Sequence, residues 1–324
     1  METVLRADMK RVGAVIVTHN SAEHITACLS ALSGRVDQIV VVDNASDDGT
    51  ADLVAGAQRA SLIANPENRG FAAALNQGIQ ALDTELILAL NPDAIVLTSL
   101  APLAEAFEDP SVGAAAGKLV DGSGRPQIGF NVRRFPTPAS LALEALGMNR
   151  VWKKNPVNRR YRCLDLDPDR PAEVEQPAGA FLMIRRGVWQ ALGGWDCKFY
   201  PLWFEDVDFL KRLRSAGFRI IYEPQAVARH AGGHSVQHVD ADSRILWWYG
   251  SLLRYAVKHF RSLGRFVVAV AVLCGSVVRM VFGLLFWWKR YPVKVYVRVI
   301  RFACLRLLPG RLGEVDGLPV RARH

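Results

Sequence analysis

Short apolar runs that stop at polar clusters alternate with helical patterns through the first ninety residues. The first run, Val12–Val17, is β-branched and ends at a Thr-His-Asn sequence, and a second run at 38–42 ends at Asp-Asn-Ala-Ser-Asp. Apolar residues recur at helical spacing after each run and again at 70–82, before a further run at 85–90. Strands that alternate with helices predict an α/β fold with a mostly parallel sheet flanked by helices.

The remaining chain repeats this pattern less regularly. Residues 120–175 are rich in Gly, Pro and Arg and only weakly periodic, which predicts loops. An apolar segment returns at 176–185, a helix is predicted at 206–216, and a strand follows at 219–222. The middle of the chain is therefore expected to form loops beside a binding site, followed by a return to regular structure.

Polar side chains follow the predicted strands at the edge where parallel sheets bind ligands. Asp43 follows the second strand and is placed to accept hydrogen bonds from a base or ribose, although its surroundings also read as an ordinary turn. Asn91-Pro92-Asp93 follows the run at 85–90, and the proline ends that strand. The Asp93 carboxylate suits Mg²⁺ or Mn²⁺ that bridges a diphosphate, with a simple turn as the alternative.

Asp206 is the strongest candidate for a catalytic residue. On a helix over 206–216 it lies in the middle of an apolar arc, which consists of Val207, Phe209, Leu210 and Leu213. Asp208 falls on the opposite, polar side, which also carries Glu205, Lys211 and Arg212. An unpaired buried carboxylate is costly, so its position favours a general base with a tuned pKa. Capping of the helix is the structural alternative.

His230 follows the last predicted strand and a loop, and glycines stand close behind it in the sequence. Glycine permits the close approach of a ligand, which favours a role in binding metal or phosphate. A lone histidine is also commonly structural, and the pattern leaves both interpretations open.

Two common nucleotide-binding motifs are missing from the sequence. The Rossmann glycine fingerprint does not follow the first strand, and Gly113–Lys118 is one residue short of a P-loop, with Leu119 in place of the required hydroxyl. Five dispersed cysteines without a CxxC pair suit reduced thiols, and the first apolar run is too short for a signal peptide. These features disfavour dinucleotide and P-loop chemistry and predict a cytoplasmic catalytic part.

Five motifs in a fixed order resemble those of glycosyltransferase family 2. They are Val-Thr-His-Asn20, Val-Val-Asp43-Asn-Ala-Ser-Asp47, Asn65-Pro-Glu-Asn-Arg-Gly70-Phe-Ala-Ala-Ala-Leu-Asn76, Asn91-Pro-Asp93-Ala and Phe204-Glu-Asp206-Val-Asp-Phe. The chain is most similar to the rhamnosyltransferase-like branch of that family. The resemblance implies a GT-A fold and an inverting, metal-dependent transfer of a sugar, such as rhamnose, from a nucleoside-diphosphate sugar to an acceptor.

The resemblance also implies roles for individual residues. Asp206 would be the catalytic base, and Asp93 with His230 would bind Mn²⁺ or Mg²⁺. Asn91 stands where the family has the first acid of its metal-binding motif. The residues expected to border the nucleotide sugar are Thr18, Asn20, Asp43, Asn68, Arg69 and Asn91. Those expected on the acceptor side are Trp195, Asp196 and Glu205.

The family pattern predicts two parts of the chain. Residues 1–245 would form the GT-A catalytic domain, with nucleotide-sugar binding at about 10–120 and the acceptor side at about 120–245. Residues 246–324 would form a basic, apolar helical region that associates with a membrane. The expected donor is UDP- or dTDP-linked, and the expected acceptor is a lipid-linked or other glycan in cell-envelope polysaccharide synthesis.

Basic residues crowd the C-terminal region of the chain, whose formal net charge is +9. Residues 266–288 form an apolar run, broken by Arg279, that is long enough to span a bilayer, but basic residues at both ends give no orientation. Lys294, Arg298 and Arg301 then recur at helical spacing. The other face of that helix carries Val297, Ile300 and Cys304. This pattern predicts that the region binds an anionic membrane surface on the cytoplasmic face of the membrane. A packed soluble subdomain is the alternative. Binding of nucleic acid is disfavoured.

Two other functions share parts of this pattern. A sugar nucleotidyltransferase has a similar sheet, but it begins with a glycine-rich basic loop where this chain has Thr18-His19-Asn20. A catalytically inactive, membrane-associated relative that binds sugar nucleotides is the second alternative, and the presence of Asp93 and Asp206 argues against it. The sequence therefore predicts an enzyme of the glycosyltransferase class.

Overall fold

The structure, a computed structural model, describes residues 10–232, 239–287 and 291–307. Its strands are β1 (Val12–Thr18), β2 (Gln38–Asn44), β3 (Ser61–Asn65), β4 (Leu86–Leu90), β5 (Ala94–Val96), β6 (Val112–Val120), β7 (Val132–Arg133), β8 (Ala172–Glu173), β9 (Gln176–Pro177), β10 (Phe181–Arg185) and β11 (Arg219–His230). Its α-helices are α1 (Ala22–Leu32), α2 (Thr50–Ala55), α3 (Phe71–Ala81), α4 (Ala101–Glu105), α5 (Pro138–Leu146), α6 (Met148–Val151), α7 (Pro156–Tyr161), α8 (Arg186–Ala191), α9 (Glu205–Ser215), α10 (Ala241–His259), α11 (Ser262–Trp287) and α12 (Tyr291–Leu307).

Nine of the strands in these ranges form one mixed sheet. Its order is β3-β2-β1-β4-β10-β6-β11-β5, with β8 paired to β11, and β7 and β9 form a separate two-stranded sheet. The first four strands in that order are parallel, as the alternation of strands and helices predicts. β10 runs antiparallel to both of its neighbours, whereas β6 and β11 are parallel to each other. The predicted α/β sheet is present, and its second half contains antiparallel strands.

Alternate side chains of the central strands pack into two apolar clusters. On β1, Ile16 belongs to one cluster and Val15 to the other. Leu32 of α1 joins the first cluster and Leu75 of α3 the second, and all four side chains are at most 1% exposed. Because these faces are filled by apolar side chains, the ends of the strands are the places left for polar groups.

Residues 120–175 contain more regular structure than the loops predicted there. Helix α5 begins with Pro138 after Thr137, whose hydroxyl accepts a hydrogen bond from the amide of Ser140 in a capping box. Helix α7 begins with Pro156 after Asn155, whose side chain also caps the helix. The prediction of loops is wrong here because each helix is defined by its cap and proline rather than by a long periodic pattern.

Strand β6 contains Gly113–Lys118, the segment that lacks the residues of a P-loop. Its residues are mostly Ala and Gly, which have low β-propensity, so the pattern does not predict a strand. A Cβ atom on Gly117 would lie 2.2 Å from the ring of Phe181 and 2.5 Å from the carbonyl oxygen of Ala226. The small residues therefore allow the neighbouring strand β10 to place a large ring against β6.

The chain divides into two compact units. The first contains the described residues of Met1–Phe135, Lys154–Cys197 and Glu205–Asp240, and it includes both sheets. The second contains those of Pro136–Lys153, Lys198–Phe204 and Ala241–His324, and it includes α5, α6 and the three C-terminal helices. The range predicted as catalytic domain thus includes two segments, near 140 and near 200, that cluster with the C-terminal helices.

Within the second unit, α11 packs closely on α5 through two glycines. A Cβ on Gly264 would lie 2.8 Å from Pro138, and one on Gly275 would lie 2.2 Å from the carbonyl oxygen of Ala145. Arg279, the charge that interrupts the apolar run, donates hydrogen bonds to the carbonyl oxygens of Ala145 at 2.5 Å and Gly275 at 2.9 Å. Its guanidinium thus satisfies a carbonyl at the C-terminal end of α5, where a positive charge is favourable.

Among the described residues, Ser262–Leu285 is the one helical segment long and apolar enough to cross a membrane, and 39% of its apolar window is buried within the protein. On α12, Val297 is 52% exposed and Cys304 is also exposed. Packing within the unit buries Val295, Tyr296, Val299 and Ala303 instead, so Val297 and Cys304 of the predicted apolar face lie outside that packing. Residues 288–290 and 308–324 of the predicted membrane region lie outside the described residues.

Candidate active site

A buried hydrogen-bonded cluster joins the carboxyl ends of β1 and β2. Thr18 is the register partner of Asp43, and its hydroxyl donates to Asp43 Oδ1 at 2.7 Å. Ser46 donates to the same carboxylate from its hydroxyl at 2.5 Å and from its amide at 2.9 Å. Thr18 is 0% exposed and Asp43 2%. The Thr18 hydroxyl therefore orients Asp43, and its contact with the nucleoside stays a prediction.

The loops after β1 and β3 lie at the same edge of the sheet. Asn20 adopts a φ of 53°, which asparagine tolerates, and its side-chain oxygen accepts a hydrogen bond from the amide of Asp47 at 2.9 Å. After β3, Asn68 Oδ1 accepts from the amide of Gly70 at 2.9 Å, and Arg69 is exposed. The structure thus brings the predicted nucleotide residues Asn20, Asn68 and Arg69 to the edge that holds Asp43.

Asp93 and His230 meet because β5 pairs with the end of β11. Ala94 is the register partner of His230, and the backbone carbonyl of Asp93 accepts from the amide of Ala231 at 3.2 Å. Asp93 Oδ2 accepts from the amide of Gly232 at 3.0 Å, while Oδ1 lies 3.5 Å from His230 Nε2. The two predicted metal ligands are therefore adjacent, although many residues separate them in the sequence.

Burial and hydrogen bonding shift the pKa values of the groups around Asp93 and His230. The side chains of Asp93 and His230 are 4% and 2% exposed. Burial acts to raise the pKa of Asp93, but the hydrogen bond and charge of His230 and the amide of Gly232 outweigh it and hold that pKa below its ordinary value. The thiol of Cys28, 3.7 Å from the carbonyl oxygen of Asn91, has its pKa raised to about 12 by burial and by the Asp93 charge, so it stays neutral.

The donor atoms at this position suit a hard divalent cation. Asp93 offers a carboxylate and His230 an imidazole, and the amide group of Asn91 lies 3.5 Å from His230 Nε2. Mg²⁺ and Mn²⁺ are commonly held by one or two carboxylates together with phosphate oxygens and water. Within the described ranges, no cluster of three or more His, Cys, Asp and Glu side chains could hold a metal by itself. A cation bound here would therefore take further oxygen ligands from a substrate.

Asp206 lies in the first turn of α9, beside a glycine that allows the backbone to approach it. Its Oδ2 accepts a hydrogen bond from the amide of Gly179 at 3.2 Å, and Oδ1 accepts from the amide of Val207 at 2.7 Å. Burial raises the pKa of Asp206 above its ordinary value, although these two amides and the charge of Arg133 oppose the increase. A partly exposed carboxylate with a raised pKa is suited to accept a proton.

The acidic neighbours of Asp206 are more buried than the helical pattern predicts. Asp208 is 0% exposed and accepts a hydrogen bond from Arg212 Nε at 2.9 Å. Arg212 also donates to the backbone carbonyls of Leu192 and Gly194 at 2.8 and 2.7 Å. Asp208 thus lies beside Arg212, as the helical spacing predicts, but Arg212 neutralises it inside the protein.

Glu205 is also buried, at 8% exposure, and among the described residues its Oε2 has no hydrogen-bond partner. Burial, and then the negative charge of Asp206, raise the pKa of Glu205 well above its ordinary value. A protonated Glu205 would spare Asp206 the repulsion of a second charge. Sequence reasoning places Glu205 on the acceptor side, and the structure places it directly beside the candidate base.

Trp195 belongs to the apolar core rather than to an acceptor surface. It is 2% exposed, and its ring stacks on that of Phe209 with centroids 4.6 Å apart. Asn76, from the third sequence motif, holds the backbone of Trp195. Its Oδ1 accepts from the Trp195 amide at 2.9 Å, and its Nδ2 donates to the Trp195 carbonyl at 2.8 Å. The predicted acceptor role of Trp195 is corrected to packing, whereas the adjacent Asp196 is partly exposed.

Strand β10 joins the candidate base to the Asn-Pro-Asp turn at 91–93. The amide of Asn91 donates to the carbonyl of Ala180 at 3.0 Å, and the preceding residue, Gly179, donates to Asp206. A Cβ on Gly179 would lie 3.1 Å from the Cβ of Asp206, so a larger residue would crowd the carboxylate. Sequence reasoning missed Gly179; the signal that points to it is the short Ala-Gly-Ala stretch just before an apolar strand.

Comparison with known families identifies the family of this chain. The profile described as glycosyl transferase family 2 matches residues 14–186, more than half of the chain. The chain belongs to glycosyltransferase family 2. It is a glycosyltransferase, as the sequence motifs predict.

Two relatives in Mycobacterium tuberculosis are similar to this member of the family. N-acetylglucosaminyl-diphospho-decaprenol L-rhamnosyltransferase is 29% identical over 243 residues, which cover 68% of this chain and 76% of that protein. Pre-mycofactocin glycosyltransferase is 28% identical over 263 residues, which cover 76% of this chain and 48% of that protein. The first of these relatives agrees with the predicted rhamnosyltransferase-like branch, and the chain spans about half the length of the second.

Solved structures confirm the GT-A fold. The mannosyltransferase PcManGT from Pyrobaculum calidifontis, in complex with GDP-Man and Mn²⁺, matches with a TM-score of 0.53 at 18% identity, over 93% of this chain and 88% of that one. TarS 1-349 from S. aureus, in complex with UDP-GlcNAc, matches with a TM-score of 0.53 at 15% identity, over 92% and 82% of the two chains. At these identities the likeness concerns the fold alone.

Replacing Asp206 and Asp208 separately by Asn distinguishes the base from its buried neighbour. Asp206→Asn should abolish transfer without lowering the free energy of unfolding. Because the pKa of Asp206 is raised in the folded protein, its ionised carboxylate destabilises the fold at neutral pH. Protonation of Asp206 removes this destabilisation as the pH falls. Asp208→Asn should lower the free energy of unfolding by about 1.5–3 kcal/mol, because Arg212 loses a charged partner. Urea denaturation and a transfer assay measure both effects; near-normal turnover of Asp206→Asn with a verified acceptor would exclude it as the base.

The rate of transfer should depend on the ionisation of Asp206. A base acts in its deprotonated form, so kcat/KM should fall as the pH is lowered through a pKa above the ordinary aspartate value of 3.8. The pH profile of kcat/KM, measured on wild-type enzyme at saturating divalent cation, gives this pKa directly. An acid limb at or below the ordinary aspartate value would contradict the desolvated setting of the carboxylate.

Proposed function

We propose that this glycosyltransferase moves a sugar, with inversion at its anomeric carbon, from a nucleoside-diphosphate sugar to a lipid-linked glycan at the cytoplasmic face of a membrane. The observation that carries the proposal is the placement of Asp206 and of the Asp93–His230 pair at one sheet edge, joined through Gly179 and Ala180. An inverting transfer needs one base and a stabilised leaving group, and these two groups of residues would supply one each.

Asp206 is positioned to act as the base in this scheme. It takes the proton of the acceptor hydroxyl while that oxygen attacks the anomeric carbon from the side opposite the diphosphate. The amides of Gly179 and Val207 hold its carboxylate in place, and its raised pKa favours proton uptake. Burial, and then the charge of Asp206, raise the pKa of Glu205 well above its ordinary value, which favours Asp206 as the charged member of the two.

Asp93 and His230 would hold the divalent cation, Mn²⁺ or Mg²⁺. When bound, such a cation supplies positive charge that stabilises the departing diphosphate. The lowered pKa of Asp93 keeps this carboxylate ionised and available as a ligand. The Mn²⁺ complex of the mannosyltransferase with the same fold is in agreement with this assignment.

The donor and acceptor are inferred from the relatives and from the strand-end loops. Asp43, Asn20, Asn68 and Arg69 would border the nucleoside of a UDP- or dTDP-linked sugar. One relative is named as an L-rhamnosyltransferase and its acceptor as a diphospho-decaprenol, which supports rhamnose as the sugar and a lipid-linked glycan as the acceptor. Both curated relatives are named as transferases of sugars, which favours glycosyl transfer over nucleotidyl transfer.

An exposed apolar stripe on α11 supports docking on a membrane. Its members are 39–76% exposed and recur at helical spacing: Leu263, Phe266, Val267, Val270, Val277, Val278, Val281, Phe282, Leu284 and Leu285. On α12, Lys294 and Arg301 are exposed near Val297, which suits attraction to anionic headgroups. The opposite side of α11 packs on α5 and α12, where Arg279 donates a hydrogen bond to the carbonyl of Ala145. We therefore favour a helix that lies in the membrane–water interface over a helix that crosses the membrane alone.

Removal of the divalent cation should abolish activity. EDTA should remove transfer and Mn²⁺ or Mg²⁺ should restore it, and Asp93→Ala should weaken the metal-dependent binding of UDP or dTDP, as measured by calorimetry. His230→Ala should raise the metal concentration needed for half-maximal binding. Asp83→Asn, a change of a fully solvated carboxylate, is the matched control. Full activity in metal-free buffer would contradict the proposal.

Replacement of stripe residues tests membrane docking without deleting a helix that packs on α5. The triple variant Phe266→Ser, Val270→Ser, Phe282→Ser should lose flotation with phosphatidylglycerol vesicles while its binding of nucleoside diphosphate stays unchanged. The control is Leu53→Ser, Leu97→Ser, which changes exposed leucines outside α11. Wild-type protein that stays in the soluble fraction and ignores the vesicles would show that α11 belongs to an ordinary packed subdomain.

A further inference from the structure

We infer that Gln127 is a positioning residue that fixes the tautomer of His230 and so prepares its Nε2 to bind a metal. The inference rests on the proposed metal site at Asp93 and His230 and adds a residue that neither the sequence motifs nor the family resemblance indicates. Gln127 lies in the segment between β6 and β7, inside the range predicted as loops.

Gln127 forms two hydrogen bonds with His230. Its Nε2 donates to the backbone carbonyl of His230 at 2.8 Å, and its Oε1 lies 3.2 Å from the ring Nδ1. A backbone carbonyl only accepts, so the NH₂ of the glutamine amide has to face it and the amide oxygen has to face the ring. Because that oxygen also only accepts, the ring Nδ1 carries the proton.

Because Nδ1 keeps its proton, a ring that gives up its charge and its hydrogen bond to Asp93 keeps its lone pair on Nε2, which can then act as a ligand. In a neutral imidazole with its proton on Nδ1, the lone pair is on Nε2. Nε2 is the atom that lies 3.5 Å from Asp93 Oδ1 and 3.5 Å from the side-chain amide of Asn91. Histidines that bind metals commonly donate their second N–H to an oxygen that holds the ring in place, and the Gln127 amide oxygen has that position here.

Backbone hydrogen bonds also hold the segment that carries Gln127 in place. The amide of Gln127 donates to the carbonyl of Leu119 at 2.9 Å, and its carbonyl accepts from the amides of Phe130 at 3.1 Å and Asn131 at 2.9 Å. The ring of Phe130 stacks on that of His230, with centroids 5.3 Å apart and an interplanar angle of 17°. His230 is thus restrained at its edge by a hydrogen bond and on its face by an aromatic ring.

The tautomer can be measured without any metal. Long-range ¹H–¹⁵N correlation spectra of metal-free, full-length protein labelled at histidine report which ring nitrogen of His230 is protonated, and His230→Asn assigns the signal. The neutral wild-type ring should carry its proton on Nδ1. Gln127→Leu should lose this preference, whereas Gln127→Glu, which keeps an acceptor oxygen, should retain it. Gln225→Leu, an exposed position on the same strand as His230, is the control and should leave the spectrum unchanged.

Binding of Mn²⁺ in the presence of UDP, measured by electron paramagnetic resonance, gives the second readout. Gln127→Leu should weaken the affinity for Mn²⁺ by about 10–100-fold, while Gln225→Leu should leave it unchanged. A proton on Nε2 in the neutral wild-type ring, or equal Mn²⁺ affinity for wild type and Gln127→Leu, would overturn the role of Gln127 alone. Wild-type protein that fails to bind Mn²⁺ would instead contradict the proposed metal site.

Discussion

The candidate site depends on how negative charge is held by a buried and a partly exposed carboxylate at one sheet edge. An ionised carboxylate is costly to bury unless hydrogen bonds or an opposite charge compensate for the lost water. Asp93 has such compensation from His230 and from the amide of Gly232, so its pKa lies below the ordinary value. Asp206 has backbone amides but no ion pair within hydrogen-bonding distance among the described residues, and burial raises its pKa. Two carboxylates at one edge are thus suited to different roles, a permanent anion and a proton acceptor.

The antiparallel placement of β10 next to β4 makes this arrangement possible. Gly179 and Ala180 lead into β10, and they contact Asp206 and Asn91 respectively. Glycine at 179 allows the carboxylate of Asp206 to reach a backbone amide. The small residues of β6 on the other side of β10 accommodate the ring of Phe181. A change in this strand would therefore alter the position of both acidic groups together.

The pattern of the sequence predicts the parallel half of the fold well, because short apolar runs with polar ends are typical of buried parallel strands. It also points to Asp43, Asp93, His230 and Asp206, each of which the structure places at the carboxyl edge or in a buried pair beside it. Helical periodicity predicts that Asp208 lies beside Arg212, but it does not show that Arg212 neutralises Asp208 inside the protein. Periodicity likewise gives no sign that Gln127 contacts His230 across the sheet, since that contact depends on the tertiary fold.

The anomeric configuration of the product is the most direct test of the account. One base and one stabilised leaving group predict a single in-line displacement, so the new glycosidic bond should have the configuration opposite to that of the donor. Nuclear magnetic resonance coupling constants of the anomeric proton in product made by the wild-type enzyme measure this configuration. Inversion agrees with Asp206 as the base. Retention of the donor configuration would require a second displacement and would contradict the mechanism.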